Sequence, residues 1–104
     1  MNRNEHLNGE AVELKPLVGL LHDLPTAMIE QLTVEAIHIH RDLVEKAESR
    51  YQALPDEIRH GNRVGGEAHH SYVQSMIAMH AQMSALTTML HILGYIPKVE
   101  PAVK

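Results

Sequence analysis

The stretch AHHSYVQSMIAMHAQMSALTTMLHILGYIP, residues 68–97, has thirty consecutive positions without Lys, Arg, Asp or Glu. Its larger apolar residues recur at alternating steps of four and three, which is the spacing of a helical-bundle seam. The seam residues are Tyr72, Met76, Met79, Met83, Leu86, Leu90 and Leu93. A second apolar row comprises Val73, Ile77, Ala81, Ala85, Met89 and Ile92. The pattern predicts one helix that is apolar on two sides.

A helix that is apolar on two sides is buried on more than one side. A single partner helix cannot cover both rows. We therefore expect one row to pack against a helix of the same chain and the other against a second copy of the protein. The seam is the predicted dimer interface. This helix is predicted to span residues 67–93 and to end at Gly94, which suits the left-handed position after a helix.

A first long helix precedes this one and is predicted over residues 25–54. Pro25 suits its first position, and one apolar face opposes a face rich in Glu, Asp, Lys and Arg. The helix should stop at Leu54 because a residue before proline is driven out of helical geometry. Residues 55–66 form a connector that lets the helices fold back antiparallel, because they contain the strong breakers Pro55, Gly61, Asn62, Gly65 and Gly66.

The N-terminal end is predicted to be disordered, whereas the arm that follows it and the C-terminal tail are predicted to be apolar. Residues 1–12 are polar without apolar periodicity, and we expect a disordered tail there. Residues 13–24 are leucine-rich, and we expect an arm with one helical turn from Pro16 that docks on the long helices. Residues 94–99 form an apolar tail that either docks on its own bundle or joins a patch for another protein, and residues 100–104 extend it.

These elements define the predicted fold class as all-α. The single domain spans residues 13–99 and consists of two long antiparallel helices, a helical hairpin, with a short N-terminal arm. Two copies are predicted to pair into a homodimeric four-helix arrangement. The composition agrees, because Phe and Trp are absent and the core must come from Leu, Ile, Val, Ala and six Met.

Charge and composition exclude several classes of function. Nine basic residues against thirteen acidic ones give a net charge of −4 with neutral histidines, which argues against direct nucleic-acid binding. His69, His80 and Gln82 within the uncharged stretch argue against a membrane span. Residues 1–15 lack the apolar core of a signal peptide, so we expect a cytoplasmic protein.

No pattern typical of catalysis occurs in the sequence. The chain has no cysteine, no GxSxG elbow and no strand before Gly65 and Gly66 that would make them a phosphate loop. His38 and Asp42 have the spacing of metal ligands on a helix, but no matching pair on the uncharged helix completes a site. We expect no enzyme activity, no cofactor, no metal and no small-molecule substrate. A histidine-based metal protein is an alternative that metal analysis decides.

Three segments resemble the TraM family of antiactivators of plasmid quorum sensing in rhizobia and agrobacteria. They are ELKPLVGLLHDLP at 13–25, HRDLVEKAESRYQALP at 40–55 and MHAQMSALTTMLHILGYIPKV at 79–99. The resemblance implies a homodimer that binds TraR, a LuxR-type transcription activator, and prevents it from binding DNA. Conjugal transfer genes then stay silent. The sequence departs from the family mainly in the arm segment HDLP at 22–25, in the connector and after Val99.

The resemblance also implies which residues bind the partner. Carried over by motif, they are Leu14, Pro16, Leu17 and Leu20 in the arm, Leu54 and Pro55 after the first long helix, Tyr72 in the second, and Gly94, Tyr95, Ile96, Pro97 and Lys98 in the tail. The alternative function is a Rop-like helical-hairpin dimer that binds structured RNA. That function needs a basic stripe, and here acids interrupt the basic residues Arg41, Lys46, Arg50, Arg59 and Arg63.

Overall fold

The computed structural model describes residues 14–100 of the chain. The predicted tail of residues 1–12 and the last four residues of the predicted extension lie outside the described residues. Four helices occur in order: α1 Lys15–Leu21, α2 Thr26–Gln52, α3 Asp56–Arg59 and α4 Glu67–Leu93. Helix α2 packs against α4 along its length, and α1 packs against α4. The predicted all-α helical hairpin is confirmed, while its pairing with a second copy stays a prediction.

Hydrogen bonds between the long helices show that they run antiparallel. Near the end of α2, Arg50 Nη1 donates to Ser75 Oγ in the first half of α4 at 2.8 Å. Further on in α4, the Gln82 side chain donates to the carbonyl of Ala36, nearer the start of α2, at 3.2 Å. The core cluster of Leu21, Ala36, Leu86 and Met89 lies towards the end of the hairpin where α2 begins and α4 finishes.

The arm forms a longer helix than the sequence predicts. We expected one turn from Pro16, but α1 spans seven residues, Lys15–Leu21, with Pro16 in its first turn, where the missing N–H costs no hydrogen bond. The backbone N–H of Leu14 donates to the Thr88 hydroxyl of α4 at 2.9 Å. Leu21 is buried at the other end of α1. The arm is therefore fastened to α4 at its beginning and packed into the core at its end.

The connector contains a short helix that the sequence analysis missed. Helix α3 follows Pro55, has Asp56 and Glu57 in its first turn and Arg59 in its last, and these charges suit the helix dipole. Asp56 and Arg59 also form an ion pair. The connector was predicted to be irregular because of its glycines, but the first of them is Gly61, which comes after α3 has ended.

The ends of the long helices follow local chemistry. Helix α2 stops at Gln52, two residues before the predicted Leu54, because the N–H of Leu54 bonds to the carbonyl of Tyr51 in a tightened turn ahead of Pro55. Helix α4 is followed by Gly94 at φ 86°, the left-handed conformation that its position after Leu93 predicts.

Candidate functional site

The C-terminal half of α4 is covered by the chain itself. Leu86, Thr88 and Met89 are buried, because α1 lies on one side of this half and α2 on another. Leu86 belongs to the predicted dimer interface, but the structure places it in the core of the protomer beside Leu21 and Ala36. Its side chain is therefore not available to a second copy.

The N-terminal half of α4 is open on the side that faces away from α2. Val73 is 41% exposed and Ile77 is 65% exposed. Ser75 hydrogen-bonds to α2, and Ile77 lies on the opposite side of the helix, because two residues at about 100° each turn the chain by about 200°. The remaining residues of the seam are all half-buried: Tyr72, Met76 and Met79 lie in this half, and Met83, Leu90 and Leu93 lie further along α4. We call Val73, Ile77 and Ala81 the open row.

A groove runs between α2 and α4 beside the open row. It encloses about 380 Å³ and is lined by Val44, Ala47, Glu48, Tyr51, Gln52, Tyr72, Met76 and Met79. The rings of Tyr51 and Tyr72 lie with centroids 5.6 Å apart and planes tilted by 56°. Predicted partner residue Tyr72 thus lines a largely apolar groove with flexible methionines, which adapt readily to a bound side chain.

A second apolar groove lies between the arm and α4. It encloses about 430 Å³ and is lined by Leu14, Pro16, Leu17, Leu20 and Ala85. All four predicted partner residues of the arm therefore come together at one place. Leu20 is 69% exposed and stands at its rim. This groove presents an apolar surface that a partner side chain could fill.

The tail both docks on the hairpin and presents an apolar side chain. The Tyr95 hydroxyl donates to a carboxylate oxygen of Glu30 in α2, and Pro97 is buried. The hydrogen bond to Glu30 raises the pKa of Tyr95 above its usual value, and partial desolvation and the carboxylate charge add to it. Ile96 is 80% exposed and Lys98 is exposed beside it. The tail thus docks on the hairpin through Tyr95 and Pro97, while its contribution to a patch for another protein stays a prediction.

The predicted partner residues form two groups at opposite ends of the hairpin. The arm and the tail both dock at the end where α2 begins and α4 finishes, the arm at Thr88 and the tail at Glu30. Tyr72, Leu54 and Pro55 lie towards the other end, and Tyr72 comes sixteen residues before Thr88, where the arm begins, which is about 24 Å along α4. Leu54 is only 5% exposed, so its side chain packs inside the hairpin and not on a binding surface. The groove of the arm and the exposed Ile96 and Lys98 lie at the same end of the hairpin, and together we call them the arm–tail surface.

No metal site or membrane helix emerges from the described part of the chain. Between residues 14 and 100, no three His, Asp or Glu side chains come together in a way that could hold a metal ion. His38 is half-buried and Asp42 is exposed on α2 without a third ligand. None of the four helices in this range combines the length and apolarity needed to cross a bilayer.

One charged feature of the surface was not predicted from the sequence. Lys46 and Arg50, one turn apart on α2, line a polar groove with Gln74 of α4. Their i, i+4 spacing was visible in the sequence, but only the structure shows that they face the uncharged helix.

Known proteins resemble this chain along most of its length. A model of the family described as Prokaryotic Transcriptional repressor TraM matches residues 1–98. A Transcriptional repressor TraM from Agrobacterium fabrum is 55% identical over 86 residues, which is 83% of this chain and 84% of the relative. Another of the same name, from Rhizobium radiobacter, is 52% identical over 88 residues, 85% of this chain and 86% of the relative.

A solved structure shares the fold. The crystal structure of a second quorum sensing antiactivator, TraM2, from Agrobacterium tumefaciens superposes with a TM-score of 0.82 at 52% sequence identity. The match covers 85% of this chain and 99% of that one.

Proposed function

This chain belongs to the TraM family of prokaryotic transcriptional repressors, and we propose that it is an antiactivator that binds the quorum-sensing activator TraR and blocks its DNA binding. Conjugal transfer genes of the plasmid would then remain repressed. The family resemblance carried by the three sequence segments is confirmed by these comparisons. The TraR partner, the dimer and the cytoplasmic location are our proposals.

The observation that carries the proposal is the arm–tail surface. It brings the groove of Leu14, Pro16, Leu17 and Leu20 to the same end of the hairpin as Ile96. Exposed apolar side chains grouped beside a groove are typical of protein-binding surfaces, where a few buried anchors supply most of the affinity. Lys98 beside Ile96 adds a charge at the rim, where charges set specificity and orientation.

The charge of the chain supports a protein target over nucleic acid. A net charge of −4 favours approach to the basic DNA-binding part of an activator. The RNA-binding alternative is weakened further because Arg59 pairs with Asp56 and Arg63 lies 3.5 Å from Glu57. A stoichiometric complex suffices for inhibition, so we propose no catalytic step and no cofactor.

The open row supports the proposed homodimer. In residues 14–100 only seven hydrophobic side chains are buried, which is a thin core for a lone hairpin. A stable interface buries about 800 Å² on each partner. The open row and the flanking Met76, Met79 and Met83 span residues 73–83, about 15 Å of α4, so they would form the centre of such an interface and not the whole of it.

The proposal is tested by light scattering coupled to size-exclusion chromatography. Purified protein is run alone and then mixed with signal-loaded TraR already bound to its operator DNA. We expect a dimer that forms a larger complex with TraR and releases the DNA. If the DNA stays bound and no larger complex appears, TraR is not the partner.

A variant assigns that complex to the arm–tail surface. Ile96→Asp places a charge at the apolar tip of the tail, and we expect the dissociation constant for TraR to rise at least about tenfold. Val64→Asp is the matched control, because Val64 is also highly exposed but lies in the connector. Equal affinities for the two variants would remove the tail from the binding surface.

A further inference from the structure

A polar groove lies on the side of the hairpin opposite the groove of Tyr51 and Tyr72. It encloses about 260 Å³ and is lined by Leu43, Lys46, Arg50, Gln74, Ser75 and Ala78. The lining has two cations, an amide and a hydroxyl, and none of the six residues is acidic. On a protein with a net charge of −4, this is a local reversal of the surface charge.

Arg50 is held in place by the structure. Its Nη1 donates to the carbonyl of Ser71 at 3.0 Å and to Ser75 Oγ at 2.8 Å. Ser75 is buried, and its own hydroxyl donates to the Ser71 carbonyl at 3.0 Å. These bonds use one nitrogen of the guanidinium and leave the N–H groups of Nε and Nη2 for another acceptor. A fork fixed in this way loses little entropy when it binds a ligand.

Lys46 and Gln74 complete the set of donors. Lys46 lies one turn before Arg50 on the same side of α2, is exposed, and forms no ion pair with another residue of 14–100. Gln74 is exposed on α4 across the groove. Leu43 and Ala78 provide apolar walls that fit the methylene stem of a side chain. A planar, singly charged acceptor on a short apolar stem matches these groups.

We propose that this groove binds the carboxylate of an Asp or Glu side chain presented by the protein partner, a step that rests on the proposed function. The anchored Arg50 binds the carboxylate through its remaining N–H groups, and Lys46 closes over it. Such a pair fixes the register of the complex and rejects partners with a basic residue at that position.

The chain's own tail cannot fill the groove. Tyr95 holds the tail at Glu30, twenty residues before Arg50 on α2, which corresponds to about 30 Å along the helix. An extended polyanion such as nucleic acid is disfavoured, because Glu35 and Asp42 lie exposed on the same helix. A single carboxylate from a folded partner avoids both obstacles.

The test compares two charge reversals on α2. Lys46→Glu places a negative charge in the groove, whereas Arg41→Glu makes the same change of net charge about 140° further round the helix. Affinities for signal-loaded TraR are measured by titration calorimetry at low and at physiological salt. We expect Lys46→Glu to weaken the complex at least about tenfold and Arg41→Glu to change it by less than about threefold.

Arg50→Lys tests the anchored fork separately. It keeps the charge and removes the planar geometry, so we expect weaker binding of about tenfold with the salt dependence retained. Because Arg50 also links α2 to α4, thermal unfolding of this variant is measured alongside, and Lys46→Glu carries the conclusion if folding is impaired.

The outcomes separate this inference from the proposed function. If wild-type protein binds TraR and the two charge reversals behave alike, the groove is not a carboxylate site while the antiactivator proposal stands. If wild-type protein does not bind TraR at all, both are overturned. If Lys46→Glu disrupts self-association and leaves the TraR complex unchanged, the occupant is a second copy and the assignment to the activator is wrong.

Discussion

The two halves of α4 have similar sequences and different surroundings. Both are free of charge after Glu67 and rich in Met and small residues. In the C-terminal half Leu86, Thr88 and Met89 are buried, whereas in the N-terminal half Ile77 is 65% exposed. The difference comes from the arm, which docks only on the C-terminal half through Leu14 and the residues that follow. Hydrophobicity therefore predicts that a helix face is covered, but not which molecule covers it.

The largest expected effect follows from placing a charge in the open half. Ile77→Asp should raise the dimer dissociation constant at least about tenfold, because each copy would bring a carboxylate into the interface. The hairpin itself should remain folded, since Ile77 contributes little to the protomer core. Analytical ultracentrifugation over a concentration series measures the dissociation constant, and circular dichroism checks the helix content.

Ile96→Asp is the matched control for self-association. It makes the same substitution at an exposed isoleucine of the tail, far from the open row. We expect it to leave the dimer intact while it weakens the TraR complex. Dimers of equal strength in both variants would show that the open row is not the interface, and a monomeric wild-type protein would remove the dimer itself.

A smaller effect is expected in the covered half. The Thr88 hydroxyl accepts from the Leu14 N–H and donates to the Ser84 carbonyl, both at 2.9 Å. Thr88→Val keeps the volume but leaves the N–H at the start of the arm without this acceptor. We expect the free energy of unfolding to fall by about 1 to 2 kcal/mol. Urea denaturation measures this loss, and faster hydrogen exchange at Leu14 locates it in the arm.

Thr33 provides the control for that prediction. It is as fully buried as Thr88, but its hydroxyl donates only to the Ile29 carbonyl of its own helix, at 2.7 Å. Such bonds within a helix contribute little, so Thr33→Val should cost less than about 0.5 kcal/mol. If both variants lose the same stability, the bond to the arm does not distinguish the two halves of α4.

The hairpin could be predicted from the sequence because long-range order follows from local signals. The uncharged stretch predicts a helix over 67–93, and α4 spans Glu67–Leu93. Pro25 and Pro55 delimit the first long helix, which differs from the prediction by only one or two residues at each end. Helix α3 was not predicted because four residues carry too few local signals. The full length of α1 was not predicted because its contact with Thr88 joins distant parts of the chain.

The candidate surfaces were predictable only in part. Motif resemblance marked the arm and the tail, and the structure brings both to one end of the hairpin. The motif could not reveal that Leu54 is buried, because the sequence of a leucine before a proline is the same whether its side chain points into the hairpin or towards solvent. The anchored Arg50 was also hidden, because its partners Ser71 and Ser75 lie more than twenty residues along the chain.

The smallest effect concerns the tail, which fastens the covered end of the hairpin through Tyr95 and Glu30. Because this bond raises the pKa of Tyr95, the folded protein holds the phenolic proton more tightly than the unfolded chain does. The stabilisation is present below the unfolded pKa of about 10 and is lost as the pH rises through the raised pKa of the folded state.

Glu30→Gln removes the charged acceptor, so the pKa of Tyr95 should fall towards its usual value. An NMR titration of the tyrosine ring carbons follows it, with Glu35→Gln, an exposed carboxylate on the same helix, as the control. An unchanged pKa in Glu30→Gln would mean that the tail is held by Pro97 alone, and the covered end would then be closed by packing without this hydrogen bond.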